Sequence, residues 1–453
     1  MQLNDILKVN IIAYDHEGMG IAKVDGFPIF IPGALVDEEV LCEIIYISKN
    51  LAKAKLKEVI KPSVNRCYDV CKYSSVCGGC NIFHMNYEEQ LKFKKQMVID
   101  TLYKVGKIQT EVLDVRPNPN PLHYRNKIIV PLGVSDGNVI SGFYEEKSHN
   151  IIEQDECLIE HEKAREIISH VKQLLEQYKV SIYDETKHTG IARNIMLRVN
   201  DKDEFMLILI VKENNSVLKN VLKDVYKHFK NIKSVYLNIN DKKTNVILNK
   251  YGFKHLYGDK ILVETLNGLK FEVHPNSFLQ VNHEQALALY NEALNYVKED
   301  SDVIIDAYCG IGTITLNLAL KAKEVYGIEI IEEAVKNANQ NKKLNNINNA
   351  HFICGKCEDE IVKLQSLKNV STIVFDPPRK GCDKKFLDTV ISMKIENIIY
   401  ISCLTSTFAR DAAYLIENGY ELVRVHPFDL FSQTAHTENL GYFCKKKSKK
   451  IKK

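Results

Sequence analysis

Cys403 ends the stretch Tyr400-Ile401-Ser402-Cys403, directly after the apolar run Ile398–Ile401. Such a run reads as a buried parallel strand. Loops at the carboxyl ends of these strands carry the chemistry of doubly wound folds. A free cysteine is most often a small buried apolar side chain. Its place at a strand end favours a covalent nucleophile instead. Further on, His436-Thr437-Glu438 reads as a polar loop of the same sheet, after the strand Leu422–Val425, so Glu438 is expected to face the same cleft. A thiolate and a general base suit chemistry at an aromatic carbon that is not nucleophilic on its own.

A second constellation precedes it. Ile304-Ile305-Asp306-Ala307-Tyr308-Cys309-Gly310-Ile311-Gly312-Thr313 is a strand running through a glycine turn into a helix. Glycines there let backbone approach a ligand and leave helix N–H groups free. Glu329 follows Asp306 by 23 residues at the end of the next strand, Val325–Ile328, where an acid accepts hydrogen bonds from ribose hydroxyls. The third glycine of a dinucleotide fingerprint is missing, so an adenosine-type ligand is preferred to NAD. A third acid, Asp376, ends a third strand in Phe375-Asp376-Pro377-Pro378-Arg379-Lys380-Gly381, a stiff turn suited to holding a flat substrate.

The third constellation is Cys71-x5-Cys77-Gly78-Gly79-Cys80, with Cys67 upstream and Cys157 far downstream. Four cysteines within fourteen residues point to a metal. Zinc sites usually show paired C-x2-C knuckles, and one is present; four thiolates at mixed spacing suit an iron–sulfur cluster equally. Spacing leaves the two open.

These sites need elements to hold them. A chain of 453 residues, 45% hydrophobic and 26% charged, is a globular protein of several domains with no run long enough to span a bilayer. No secretory signal is visible, so a cytoplasmic location is expected, with the 12 cysteines reduced. Seven lysines in the last nine residues outweigh the net charge of +3, leaving the body net acidic and any polyanion surface local.

Residues 1–61 alternate short apolar runs and glycine turns (Val9–Ala13, Ile21–Val24, Phe27–Ile31, Val40–Ile47, Ala52–Ile60), predicting a small closed β-barrel of the oligonucleotide-binding type. A lysine-rich helix is expected over Tyr87–Val105 and another over Glu160–Tyr178. Residues 62–280 form a mixed central domain. From 281 to 444, strands at Val303–Asp306, Glu324–Ile328, His351–Cys354, Thr372–Asp376, Asn397–Ser402 and Glu421–Pro427 alternate with helices. That predicts an α/β, Rossmann-like domain with a mostly parallel sheet, and residues 445–453 form a basic tail.

Taken together, the motifs resemble the RNA (uracil-5-)-methyltransferases, in the subgroup with an N-terminal TRAM barrel and an iron–sulfur cluster. The resemblance runs through the cysteine array, Tyr124-Arg125-Asn126-Lys127, Ser277-Phe278-Leu279-Gln280-Val281-Asn282, Asp306 to Thr313, Asp376 to Gly381, Ser402-Cys403 with Ala409-Arg410-Asp411, and His436-Thr437-Glu438. It implies a class I methyltransferase domain. It also implies a [4Fe–4S] cluster on Cys71, Cys77, Cys80 and Cys157, with Cys67 as an extra. S-adenosylmethionine contacts would come from Gln280, Tyr308, Glu329 and Asp376, with Cys403 as nucleophile and Glu438 as general base.

Two positions depart from the family pattern. Leu404-Thr405 stands where Asn-Pro is usual after the cysteine, and Lys356 stands where a smaller polar or acidic residue often contacts ligand. The resemblance implies a monomer acting on 23S rRNA uridine, with tRNA uridine 54 as the alternative. An RNA-binding ribosome-assembly factor with a weakened active site would fit Leu404-Thr405. A cytosine-5 enzyme would carry a second catalytic cysteine near the proline turn, and Cys382 follows Asp-Pro-Pro instead.

Overall fold

The computed structural model describes residues 1–68, 71–145 and 148–446, so the basic tail beyond Lys446 lies outside the described residues. At the N-terminus, the strands Ile6–Asn10, Glu39–Ile47, Ala52–Lys61, Phe27–Ile31, Gly20–Val24 and Ala13–Tyr14 lie side by side in that order. They curl around Val9, Ile29, Ile31, Val40, Cys42, Ile44 and Ala54. Strict alternation does this: Ala52 and Ala54 point inward while Lys53, Lys55 and Lys57 point to solvent. Arg66 grips the barrel at Glu38, with Nε 2.5 Å from Oε1 and Nη2 2.6 Å from Oε2.

The central sheet has seven strands, in the order Ile151–Glu153, Asn138–Tyr144, Lys127–Ser135, Ala192–Val199, Phe205–Val211, Ile232–Ile239 and Phe253–Gly258. The helices Ala164–Gln177 and Ser216–His228 cover one face through Ile167, Val171, Val221 and Val225. The other face meets the C-terminal domain through Met196, Met206, Ile208 and Ile210. Phe205–Val211 is therefore buried on both sides, which is why it reads as an unbroken apolar run.

The C-terminal domain opens with helix α1 (His283–Asn295) and continues through β1 (Ser301–Ala307), α2 (Thr313–Leu318), β2 (Ala322–Glu329), α3 (Glu332–Leu344), β3 (Ala350–Cys354), α4 (Cys357–Lys363), β4 (Val370–Phe375), α5 (Lys384–Met393), β5 (Asn397–Ser402), α6 (Thr405–Glu417), β6 (Tyr420–Phe428) and β7 (Glu438–Lys445). The sheet order is β3-β2-β1-β4-β5-β7-β6, with Glu111–Val112 added in parallel beside β6. Strand order reverses between β1 and β4, so their carboxyl ends flank the crevice where doubly wound folds bind ligands. The helix Tyr87–Gly106 packs on this domain, where Val98 and Leu102 join the core of Phe408, Ala409 and Ala412. Among the described residues no helix is long and apolar enough to cross a membrane.

One expectation is corrected. Glu438 does not sit in a loop; it opens β7, which inserts antiparallel between β5 and β6. The polar start Glu438-Asn439 hides a strand whose place is fixed by tertiary pairing on both edges. Lys445, expected in the tail, is the last residue of that strand.

Candidate active site

The donor loop lies between β1 and α2. Tyr308 adopts a left-handed backbone (φ 64°), as do Gly310 (φ 56°) and Gly312 (φ 85°). The glycines serve different ends. A side chain at Gly310 would enter open space, so its absence leaves a cradle; one at Gly312 would strike Phe352 at 2.8 Å, so there the turn itself needs the room. Glu329 accepts hydrogen bonds from Gly310 N (3.0 Å) and Ile331 N (2.9 Å), which hold its carboxylate at the lip of this cradle. Ile330 and Ile331 are exposed beside it as an apolar wall. Asp306 lies beneath the loop, accepts from Thr315 Oγ1 (2.5 Å), and is pushed up to about 7 by burial.

Gln280 is buried, its segment held by Asn126, whose Nδ2 donates to Gln280 O (3.0 Å) and whose N donates to Val281 O (2.9 Å). This gives the Tyr124–Lys127 motif a physical role: it seats the Gln280 segment. Tyr308 is half-buried with its ring 5.7 Å from Phe386. Lys356 caps α4 without a side-chain capping bond.

The acceptor side is built from three strand ends. Ser402 on β5 pairs with Asn439 on β7, so the next rung of that register sets Cys403 opposite Glu438. Residues directly opposite on antiparallel strands have Cβ atoms about 4.5–5.5 Å apart and point to the same side. Asp376 and Arg379 reach the same spot from the loop after β4. Helix α6 fixes that loop: Thr407 Oγ1 donates to Arg379 O (3.2 Å), Arg410 Nη2 donates to Lys380 O (3.0 Å), and Asp411 accepts from Cys382 N (2.9 Å) and Tyr400 Oη (2.8 Å). Gly381 (φ 78°) is required because a side chain would strike Arg410 and Asp411. Cys382 is buried behind the loop.

Burial dominates the electrostatics here. It pushes the Cys403 thiol up to about 11, with Glu438 and Asp376 adding and Arg379 opposing. It drives Glu438 well above the carboxylate range, again raised by Asp376 and lowered by Arg379, and it raises Asp376. Arg379 is thus the cation that favours both charged forms. Three consecutive residues carry buried polar atoms without a partner: Thr437 Oγ1, Glu438 Oε1 and Asn439 Oδ1. Such atoms are costly unless a ligand satisfies them.

The loop after Cys403 shows the effect of Leu404-Thr405. Leu404 caps α6 and offers no side-chain bond, which costs about 1 kcal/mol against Asn at such a position. Thr405 compensates in part: its Oγ1 accepts from Asn439 Nδ2 (3.1 Å), tying the cysteine loop to β7.

Cys71, Cys77, Cys80 and Cys157 line one cavity with Phe83, Phe143 and Leu158, and Cys67 does not. Burial pushes Cys157 up to about 11 and raises Cys80 further, with charge on Cys157, Cys77 and Cys71 adding to the shift on Cys80. Among the described residues no three His, Cys, Asp or Glu side chains converge closely enough to hold a single ion.

Three residues of the acceptor side went unassigned in the sequence reading. Arg379 stood in a recognised motif without a role. Asn439, just past the His436-Thr437-Glu438 motif, carried no reading of its own. Tyr290 of α1 gave no signal, yet its hydroxyl is 3.5 Å from Thr313 Oγ1 and is raised by burial with Asp376, Glu438 and Asp306 around it.

A glycine cradle with a ribose-type acid at the switch point of this strand order, beside an inserted antiparallel strand, defines a class I S-adenosylmethionine-dependent methyltransferase. A solved Pyrococcus abyssi tRNA (uracil-54, C5)-methyltransferase in complex with S-adenosyl-L-homocysteine superposes with a TM-score of 0.80 at 27% identity, covering 96% of this chain and 99% of that one. Residues 86–447 match the tRNA (Uracil-5-)-methyltransferase family, and residues 2–57 match the TRAM domain. An "Uncharacterized RNA methyltransferase" of Clostridium tetani is 41% identical over 442 residues, spanning 96% of each chain. One of Staphylococcus epidermidis is 40% identical over 453 residues, spanning 98% of each. The chain belongs to the tRNA (uracil-5-)-methyltransferase family and carries a TRAM domain at its N-terminus.

Proposed function

We propose that the chain transfers a methyl group from S-adenosylmethionine to carbon 5 of uridine in 23S rRNA through a covalent adduct on Cys403. The observation that carries this reading is that Cys403 and Glu438 each lie one residue past the Ser402–Asn439 pair of β5 and β7, with Glu438, Asp376 and Arg379 all acting on the Cys403 thiol. Carbon 5 of uracil attacks a sulfonium methyl only after a nucleophile has added at carbon 6. The Cys403 sulfur forms the bond to carbon 6, and the electrons of the 5,6 double bond move toward the carbonyl at carbon 4 as an enolate. Carbon 5 then takes the methyl group and S-adenosylhomocysteine departs. Glu438 as carboxylate removes the carbon 5 proton, the double bond re-forms, and the sulfur leaves carbon 6.

The base has to leave its stack to reach such a site. Its N3–H is a donor for the partnerless acceptors at Thr437, Glu438 and Asn439. Glu329 would hold the donor's ribose, with Gln280, Tyr308 and Asp376 completing that pocket. A base removing the proton and a thiol adding to carbon 6 both need deprotonation, and Arg379 supplies the charge that favours it.

The subgroup resemblance is what supports a [4Fe–4S] cluster on the four cysteines, which line one cavity. The group would supply cohesion between the segment 71–80 and Cys157, and no step of the methyl transfer runs through it. The purified chain should contain iron and acid-labile sulfide in comparable amounts; stoichiometric zinc without sulfide would reject the cluster.

The subgroup resemblance supports 23S rRNA. A tRNA uridine is the second reading, because the full-length structural likeness is to a protein named for tRNA uracil-54. That coverage includes the barrel, so a barrel does not decide between the substrates. Mass-spectrometric mapping of 5-methyluridine in both RNAs from a deletion strain does. Loss from 23S rRNA is the expected result; loss confined to tRNA would reverse the substrate.

A further inference from the structure

Lys127 and Arg198 face each other in register across the antiparallel strands Lys127–Ser135 and Ala192–Val199. Like charges directly opposite on neighbouring strands destabilise a sheet unless something offsets them. Among the described residues no acidic side chain pairs with either. Arg198 is only 4% exposed, its Nε has no hydrogen-bond partner, and burial is the one influence on its charge. Lys127 is depressed to about 8 by burial and by Arg198, with no acid acting on either.

Alternation says where these cations point. Ile129 and Met196, two residues along each strand, pack into the core shared with the C-terminal domain, so Lys127 and Arg198 also face that junction. There Arg198 Nη2 donates to Ser277 O, and Ser277 Oγ donates to Asn337 Oδ1 (3.0 Å). Asn337 Nδ2 is buried and without a partner. Two buried donors without a partner, Arg198 Nε and Asn337 Nδ2, therefore lie on the two sides of Ser277, with Lys127 across the strand pair from Arg198. Phe278, next in the chain, is 67% exposed, an apolar ring in solvent.

We propose that Lys127, Arg198 and Asn337 form an oxyanion subsite for a phosphodiester of the RNA substrate. This rests on the RNA-methyltransferase reading and extends it by naming a backbone contact. Phosphate suits the site because a diester's negative charge offsets the repulsion between the two cations and its oxygens accept from the amide, and the exposed ring of Phe278 suits a neighbouring base. An alternative is a structural clamp, with Arg198 merely fixing the Ser277 carbonyl. The other is a pocket for the donor's carboxylate.

Binding of a labelled oligouridine, measured across a salt series without methyl donor, separates these. Lys127→Met and Arg198→Met should each weaken binding about tenfold at low salt and flatten the slope of log K against log salt by about 0.7 per lost contact. Arg198→Lys should recover most of the slope, and S-adenosylhomocysteine affinity by calorimetry should stay unchanged in all variants. Unchanged slopes would overturn the subsite in favour of the clamp, and lost S-adenosylhomocysteine affinity would overturn it in favour of the carboxylate. Should Arg198→Met fail to fold, the half-buried Lys127→Met carries the same test. Because the slope is read without methyl donor, it tests the subsite whether or not carbon 5 of uridine is the atom methylated.

Discussion

Glu438→Gln should stall the reaction after methyl transfer, not before it. Glutamine keeps the shape of the side chain and its place at the head of β7, so Cys403 can still add and carbon 5 can still take the methyl group. What is lost is a group able to accept the carbon 5 proton. Turnover should fall about 10²- to 10⁴-fold, the usual range for a positioned base. The variant should also be more stable than the parent at neutral pH. Burial and Asp376 raise Glu438 far above its unfolded value, so the folded state holds a proton that the unfolded state has released. As pH rises above the unfolded carboxylate range, that difference costs the parent stability, and the amide has no proton to lose. The melting temperatures should therefore differ at pH 8 and converge near pH 4, as thermal unfolding at the two values would read.

Cys403→Ala should remove activity more completely, by about 10⁴-fold or more, because addition at carbon 6 precedes every later step. Binding of RNA and of S-adenosylhomocysteine should survive, since the donor cradle at Gly310 and Glu329 shares no hydrogen bond with Cys403. Single-turnover assays with radiolabelled donor measure the first effect, and calorimetry measures the second.

Much of the C-terminal sheet was legible because its central strands are buried on both faces and so appear as continuous apolar runs. Asn397–Ser402 is one such run, with every residue buried. The donor loop was legible for a different reason: two glycines mark its turn, of which Gly312 leaves no room for a side chain against Phe352, and the acid of β2 follows at a fixed distance. The acceptor side was harder. Glu438 and Asn439 open β7 with polar residues, and their place depends on pairing with β5 on one edge and β6 on the other. Arg379 and Tyr290 act through distances between elements that are remote in sequence. The helix expected from Glu160 starts at Ala164, because Glu160 is drawn into a buried pair with Arg165 (2.7 Å) rather than into the helix.

The central claim is a bond between Cys403 and carbon 6 of an RNA uridine. Glu438→Gln incubated with S-adenosylmethionine and an rRNA transcript, digested with protease and nuclease and read by mass spectrometry, tests it directly. The peptide containing Cys403 should carry a methylated uridine nucleotide. A wild-type enzyme that makes 5-methyluridine beside a variant that turns over slowly with Cys403 unmodified would contradict the account.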